Sequence, residues 1–582
     1  IIPAPESLTP LSGSFVFGRG TALEFDGCEE EFGEAAEVFA RRVKRVTGFD
    51  LKKGSGRDGK IIIRKVAGLG TEEYGLSVSP KEIIIESTET PGVFYALQTV
   101  LQLLPSDIYS PKLVRGVKWE LPCCKISDKP AFPYRGILLD CGRHFFSKEF
   151  VLKFIDQMAM RKLNVFHWHL TEDQGWRIEI KKYPRLMDVA SKRPFTADYN
   201  NQNPDGKPHE GYYTQDDVRE IVEYARLRQV TVIPEIELPG HSTAALAAYP
   251  QLSCDTTKTY SVSTDLGIKT DVYCPSDFTM GFLEDVFTEI LPLFPSKLYH
   301  IGGDECPQTA WRESPYCHKI MKEKGLKDYG EIQSYFVGHI SNFLKSHGKE
   351  VMGWDEVLDA KPFQEMIAQS YRGHAPAARG MRRGHRIVLS PDRWCYFCYY
   401  QEDPRNEPKN QRWLLTLKKT YNYFPVVDSL PQLSKKYIVG VEGCVWTEYI
   451  YEDEAAEYWT CPRSSALAEV GWTKRENKDW WSFRGRMEKE MSRLEKAEVN
   501  CSQSYWNVIF DYDSINLPRP MDASLMLAYP GAAIHYTLDG SEPTVDSPVF
   551  NRAFVPESGT TVKARGFVHN GRAVGKTVEL AF

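Results

Sequence analysis

No run of roughly 18 apolar residues occurs in this 582-residue chain, which excludes a membrane-spanning helix of ordinary length. The most apolar stretches, such as Ile61 to Ile63 and Ile83 to Ile85, are only strand length, so a soluble chain is expected. Basic excess is also missing. A net charge of -6 and a pI near 6.2 leave no electrostatic footprint for nucleic acid. Cysteine is too sparse for a disulfide scaffold, and 13 thiols cannot all pair within one chain. Cys254 and Cys274 bracket a loop that one bridge would close, with buried thiols as the equal alternative. Cys395 and Cys398 have CxxC spacing, but no second CxxC or HxxxH follows, so neither metal nor cofactor is expected. An initiator Met is absent at Ile1, and we expect a targeting segment to have been removed or left out.

The chain is 42% hydrophobic and 12% aromatic, enough for several cores and roughly two to four domains. Residues 1 to 130 mix β-rich runs (60–64, 74–78, 82–86) with helical periodicity over 34–46 and 93–104, a small α+β domain. From Tyr134 apolar strands alternate with amphipathic helices. Eight strands are predicted at 135–140, 164–170, 230–236, 297–303, 350–354, 366–371, 385–390 and 437–446. Eight such repeats predict an α/β fold, a (β/α)₈ TIM barrel over residues 131 to 500. Residues 515 to 582 are read as a small C-terminal β-sandwich, in which Asp539-Gly540 is a hairpin-turn signal.

Within the barrel pattern, KLYHIGGDE (297–305) is the most informative segment. A short apolar strand runs into two glycines and delivers Asp304 and Glu305. Consecutive residues of a strand alternate faces, so two adjacent acids reach different parts of one ligand, and the glycines allow close approach. Barrel active sites lie at the C-terminal strand ends. There the sequence places Asp140 and Arg143, then His169, Glu172 and Asp173, then Glu235 and His241, then Asp304 and Glu305. Trp354, Asp355, Tyr371, Arg372, Trp446 and Glu448 follow at later strands. Acids beside aromatics suit a sugar, whose apolar faces stack on rings while carboxylates and Arg bind its hydroxyls.

The motifs RGILLDCGRHF (135–145), NVFHWHLTEDQGWR (164–177), PEIELPGH (234–241), HIGGDE (300–305), GWDE (353–356) and GVEGCVWTE (440–448) together resemble the glycoside hydrolase family 20 β-N-acetylhexosaminidases. PGVFYALQTVLQLLP (91–105) resembles the end of that family's N-terminal domain, and HYTLDGSEPT (535–544) the sandwich of its chitobiase-like bacterial members. The resemblance implies an exo-acting retaining hydrolase of terminal β-linked GlcNAc or GalNAc. Its nucleophile would be the substrate's own 2-acetamido oxygen, giving an oxazolinium intermediate.

By the same resemblance Glu305 is the general acid and later base, Asp304 holds the acetamido N–H, and Tyr396 orients its carbonyl. Adjacent acids disfavour double ionisation, which is expected to help keep Glu305 protonated. Arg143 and Glu448 match hydroxyl-binding positions, Trp446 lies beneath the ring, and Trp354 belongs to the cage around the acetamido methyl. Glu172 and His241 match an acid–His pair that supports the general acid from behind. Arg135 and His169 read as structural.

Three positions depart from the family pattern. Glu172 stands where an Asp is expected, Tyr371 where a cage Trp is usual, and Cys398 where an Asp or Asn commonly binds the hydroxyls on the 4/6 side. A thiol is a poor hydrogen-bond partner and carries no negative charge. One reading is therefore a pocket specialised for a substituted sugar such as 6-O-sulfated GlcNAc; the other is an ordinary exo-hexosaminidase with a neutral replacement. A catalytically inactive carbohydrate-binding protein is the third possibility, disfavoured because binding alone does not require Asp304, Glu305 and Tyr396 together. The expected partner is an oligosaccharide or glycoconjugate ending in β-N-acetylhexosamine. The expected location is periplasmic, cell-surface or secreted in a bacterium.

Overall fold

A computed structural model describes residues 1–54, 56–359, 366–510, 525–527 and 531–582. They form two compact units, one of residues 1–131, 397–424 and 454–582, the other of 132–396 and 425–453.

In the first unit seven strands form one sheet, in the spatial order 7–16, 120–128, 74–78, 82–87, 60–65, 22–26, 52–53. Tyr74–Val78 and Glu82–Ser87 alternate buried and half-buried residues, the period of a sheet with one covered face. The helix Thr90–Leu103 packs on those two strands and is buried from Gly92 through Gln102. Its partner, Glu29–Thr47, begins five residues before the predicted helix. That first turn carries Glu29, Glu30 and Glu31, whose charges suit a helix N-terminus but carry no apolar period.

Near the C-terminus an antiparallel sheet of 532–537, 561–568 and 573–581 shares a core with the strand pair 508–510 and 525–527, through Val508, Phe510, Leu525, Val562, Val578 and Leu580. The Asp539-Gly540 turn folds the chain back, so that Phe550 N–H donates to Ile534 O at 2.8 Å. The expected domain boundary near 515 lies outside the described residues.

The second unit contains a closed parallel barrel of eight strands: Tyr134–Asp140, Val165–His169, Thr231–Glu235, Leu298–His300, Glu350–Trp354, Ile367–Ser370, Arg386–Leu389 and Ile438–Val445. All eight coincide with predicted strands. The first is buried at every residue, as a parallel strand covered on both faces must be. Register aligns Asp140 with His169, His169 with Glu235, and Glu235 with His300, so these four polar residues share one level near the C-terminal rim.

One expectation needs correction. The fourth strand ends at His300, so Asp304 and Glu305 stand on a turn beyond the ladder and not on a strand end. Gly302 (φ +66°) and Gly303 (φ +93°) turn the chain there, and Glu305 itself lies at φ +44°. Cys254 and Cys274 keep their thiols and make no bridge. Both are instead close to Cys317.

Candidate active site

Asp304 and Glu305 are brought to the rim by the turn after the fourth strand. The turn is held by Gln333, whose side-chain amide donates to Gly303 O at 2.6 Å. Behind the acids stands His241, delivered by the loop after the third strand at φ +47°. Its Nε2 lies 3.7 Å from Asp304 Oδ2 and 3.7 Å from Glu305 Oε2. Its Nδ1 lies 2.8 Å from Glu172 Oε1 and 3.2 Å from Asp173 Oδ2. Burial disfavours the imidazolium, but these carboxylates, Glu172 foremost, raise the His241 pKa well above its ordinary value. A cation therefore faces the acid pair.

The expected Glu172–His241 pair is present, and Asp173 joins it. Asp173 is itself fixed by Thr243, whose N–H donates to Oδ1 at 2.9 Å. The longer Glu172 also reaches Arg143 Nη2 at 3.1 Å, while Arg143 Nη1 lies 3.3 Å from Asp140. That clamp holds the Arg143 guanidinium 5.1 Å from the Trp446 ring. Burial opposes ionisation of Asp140, yet Arg143 and His169 hold its pKa well below the usual carboxylate range.

Asp304 behaves differently. Burial, then the nearby Glu237, raise its pKa well above the ordinary value. Glu237 is pushed up too, by burial and by Glu235. The sequence places the retained proton on Glu305 through its neighbour; the structure shows an upward shift at Asp304, caused first by burial and then by Glu237. The side chain of Asp304 is 14% exposed and that of Glu305 is 40% exposed, so Glu305 is the acid that meets solvent.

The opposite wall is aromatic. Trp354 and Tyr371 meet edge to face with centroids 5.6 Å apart, and Trp354 and Trp446 are tilted at 5.6 Å. Tyr371 stacks on Tyr396 at 6.3 Å and 13°, and Tyr396 meets Trp446 edge-on at 6.0 Å. Trp354 is fully buried and donates from Nε1 to Glu235 at 2.8 Å, so it forms the floor. Tyr371, the residue in place of the usual Trp, donates its hydroxyl to Glu356 at 2.5 Å. Asp355 accepts from Tyr371 N–H and Arg372 N–H at 3.1 and 3.2 Å and sets that loop. The sequence motif GWDE contains Glu356 but assigns it no role; an acid close after a strand-end Trp is the signal available there. A cavity of about 620 Å³ opens beside Glu305, lined also by Glu356, Gln333 and Asp328.

Asp304 Oδ1, His241 Nε2, Glu356 Oε2 and Glu448 Oε2 are buried and meet no hydrogen-bond partner within the protein. Buried polar atoms are ordinarily satisfied, so four at one rim mark where a polar ligand fits. Arg135 is structural as expected, donating to Lys162 O and Phe132 O at 2.8 Å each. Cys395 is buried, and burial pushes its thiol pKa up, away from thiolate chemistry. Cys398 belongs to the other compact unit, where it is buried and its carbonyl accepts from Gln411 N–H at 3.2 Å.

A (β/α)₈ barrel that sets paired carboxylates against an aromatic wall has the layout of a glycoside hydrolase. The comparisons agree. The "Glycosyl hydrolase family 20, catalytic domain" matches residues 132–475, "Glycosyl hydrolase family 20, domain 2" matches 1–129, and "Fn3 associated" matches 524–578. The chain belongs to glycosyl hydrolase family 20, and it is an enzyme of that class. It is 38% identical over 566 residues to a β-hexosaminidase of Porphyromonas gingivalis, covering 94% of this chain and 70% of that protein. Among solved structures it is similar to an exo β-N-acetylglucosaminidase from Vibrio harveyi in complex with N-acetylglucosamine (TM-score 0.77, 30% identity, 86% and 78% of the two chains). It is also similar to the β-N-acetylhexosaminidase of Streptomyces coelicolor (TM-score 0.76, 28% identity, 89% and 98%). Among the described residues no helix is long and apolar enough to cross a membrane.

Proposed function

We propose that this barrel is an exo-acting retaining β-N-acetylhexosaminidase that uses the acetamido group of its own substrate as nucleophile. The observation that carries the reading is the placement of Asp304 and Glu305 on one turn, both 3.7 Å from the same His241 nitrogen. A conventional retaining pair faces each other across the sugar, about 5–5.5 Å apart, with one acid as nucleophile. Adjacent acids on one turn suit a division of labour on one face instead.

In the first step Glu305 gives its proton to the glycosidic oxygen while the acetamido carbonyl oxygen attacks C1 and the leaving alcohol departs. Asp304 acts as the carboxylate: it accepts the acetamido N–H, and the positive charge that spreads onto the nitrogen offsets the burial and the nearby Glu237 that raise its pKa in the free protein. Tyr396 donates its hydroxyl to the carbonyl oxygen and aims it. In the second step Glu305, now a carboxylate, takes a proton from water as that water opens the oxazolinium at C1. The retained β configuration follows from the two displacements. His241, positively charged through Glu172 and Asp173, keeps one of its ring N–H groups toward the acid pair. Trp354, Tyr371 and Trp446 enclose the acetamido methyl and the sugar's apolar face, while Arg143 and Glu448 bind hydroxyls. The glycan substrate class supports a periplasmic, cell-surface or secreted location for the working enzyme.

Hydrolysis of aryl β-GlcNAc, β-GalNAc, 6-sulfo-β-GlcNAc and β-glucoside by the wild type, Asp304→Asn and Glu305→Gln tests this. The wild type should cleave acetamido sugars and leave the glucoside, which lacks the nucleophile. Both variants should lose about 10²–10⁴-fold in kcat/KM, with the Glu305→Gln loss smallest for the most acidic phenol, which leaves without protonation. Efficient glucoside cleavage would sink substrate assistance. Turnover of the sulfated sugar reports whether the pocket accepts a substituted 6-hydroxyl.

A further inference from the structure

Outside the sugar site, three cysteines from separate segments converge. Cys254 follows the short helical turn Pro250–Leu252. Cys274 ends the neighbouring strand-like segment, which is tied back by a Ser253–Tyr273 bridge and by Cys274 N–H donating to Leu252 O at 2.8 Å. Cys317 lies in the first turn of the helix Pro315–Lys324, where its N–H donates to the capping Ser314 hydroxyl oxygen at 3.3 Å. The three sulfurs all lie within 4.8 Å of one another, and Cys254 Sγ is 3.5 Å from Cys317 Sγ. Cys274 and Cys317 are buried, Cys254 half-buried.

We propose that Cys254, Cys274 and Cys317 form a tri-thiolate site for a divalent thiophilic cation of the zinc class. Zinc–sulfur bonds of about 2.3 Å set the sulfurs of a tetrahedral site about 3.8 Å apart, close to the observed spacing. A disulfide needs about 2.05 Å and uses only two of the three sulfurs. The helix N-terminus favours the Cys317 thiolate, and half-buried Cys254 provides the entry path and leaves the fourth position to water. None of these residues takes part in the proposed catalysis. The bound ion would instead brace two loops against each other. One is the loop after the third barrel strand. The other is the segment that follows Glu305, already linked to it where Trp311 Nε1–H donates to Tyr273 O at 2.9 Å.

The test is titration of the reduced 582-residue chain with Cd(II), followed by competition with Zn(II). A thiolate-to-cadmium charge-transfer band should saturate at one ion per chain and be displaced by zinc. Affinity should fall at least ~10-fold in Cys274→Ser and in Cys317→Ser, while Cys501→Ser binds as the wild type does. Should a variant fail to fold, zinc protection of the wild type from iodoacetamide gives the answer by peptide mass spectrometry. Cys254, Cys274 and Cys317 should be the protected thiols. The absence of a cadmium band, a band unchanged in Cys274→Ser, or protection confined to other cysteines would overturn the site.

Discussion

Glu356 shows how position alone sets the charge state of a side chain at this rim. Burial, with Asp355 beside it, raises its pKa from 4.5 to about 7, although the Tyr371 hydroxyl donates to it. Between those values the folded protein binds a proton that the unfolded chain has released. This contribution is therefore most favourable below pH 4.5 and is lost as pH rises through about 7. Glu356→Gln removes it. Thermal unfolding across that window should show the wild type losing stability relative to the variant, and parallel profiles would refute the assignment. The neighbouring acids Glu172 and Asp173 make a related point. Sequence singled out Glu172 as the partner of His241, but spacing cannot say that the His241 Nδ1 lies within 3.2 Å of both.

At the scale of an element, the turn after the fourth strand decides the site. Sequence read 297–303 as one strand because KLYHI is apolar and β-prone; where a ladder ends depends on partners, and here pairing stops at His300. Gly302 then adopts φ +66°, and a Cβ placed there would stand 1.7 Å from Glu237 Oε2. Gly302→Ala should therefore cost about 1–3 kcal/mol in backbone strain alone and displace Glu237 from behind Asp304. Steady-state kinetics should show kcat reduced more than KM is raised, with a lowered thermal midpoint. An alanine variant of wild-type activity would mean that the turn does not position the acids.

At the scale of the whole barrel, a polar ladder crosses the interior. His167 Nδ1 lies 2.8 Å from Glu442 and its Nε2 3.0 Å from Glu235. Glu235 also holds His300 at 2.6 Å and Trp354, and Glu442 accepts from Gln369 at 2.7 Å. One network thus joins strands two to six and the eighth. Burial disfavours protonation of His167, but Glu442 and Glu235 raise its pKa from 6.5 to about 9. Its stabilisation is complete below pH 6.5 and is lost as pH rises through about 9. His167→Gln leaves two buried carboxylates without their cation and should cost about 3–5 kcal/mol. Denaturant unfolding from pH 6 to 9.5 should show the wild-type advantage shrinking with pH; a constant difference would mean that His167 is neutral throughout.

The order of strands, the barrel and the family were settled by the sequence, because period-2 runs, helix spacing and rim motifs such as GGDE and TEDQ are local patterns. The acids, the aromatic residues and His241 could be named from those patterns for the same reason. Only the tertiary structure decided which of them meet. It set His241 between Glu172, Asp173 and the acids Asp304 and Glu305, turned Tyr371 toward Glu356, and raised the pKa of Asp304. It also gathered Cys254, Cys274 and Cys317, which lie far apart in the chain. Distance, burial and local field act through space and leave no periodic trace along the chain, so they appear only once the barrel has closed.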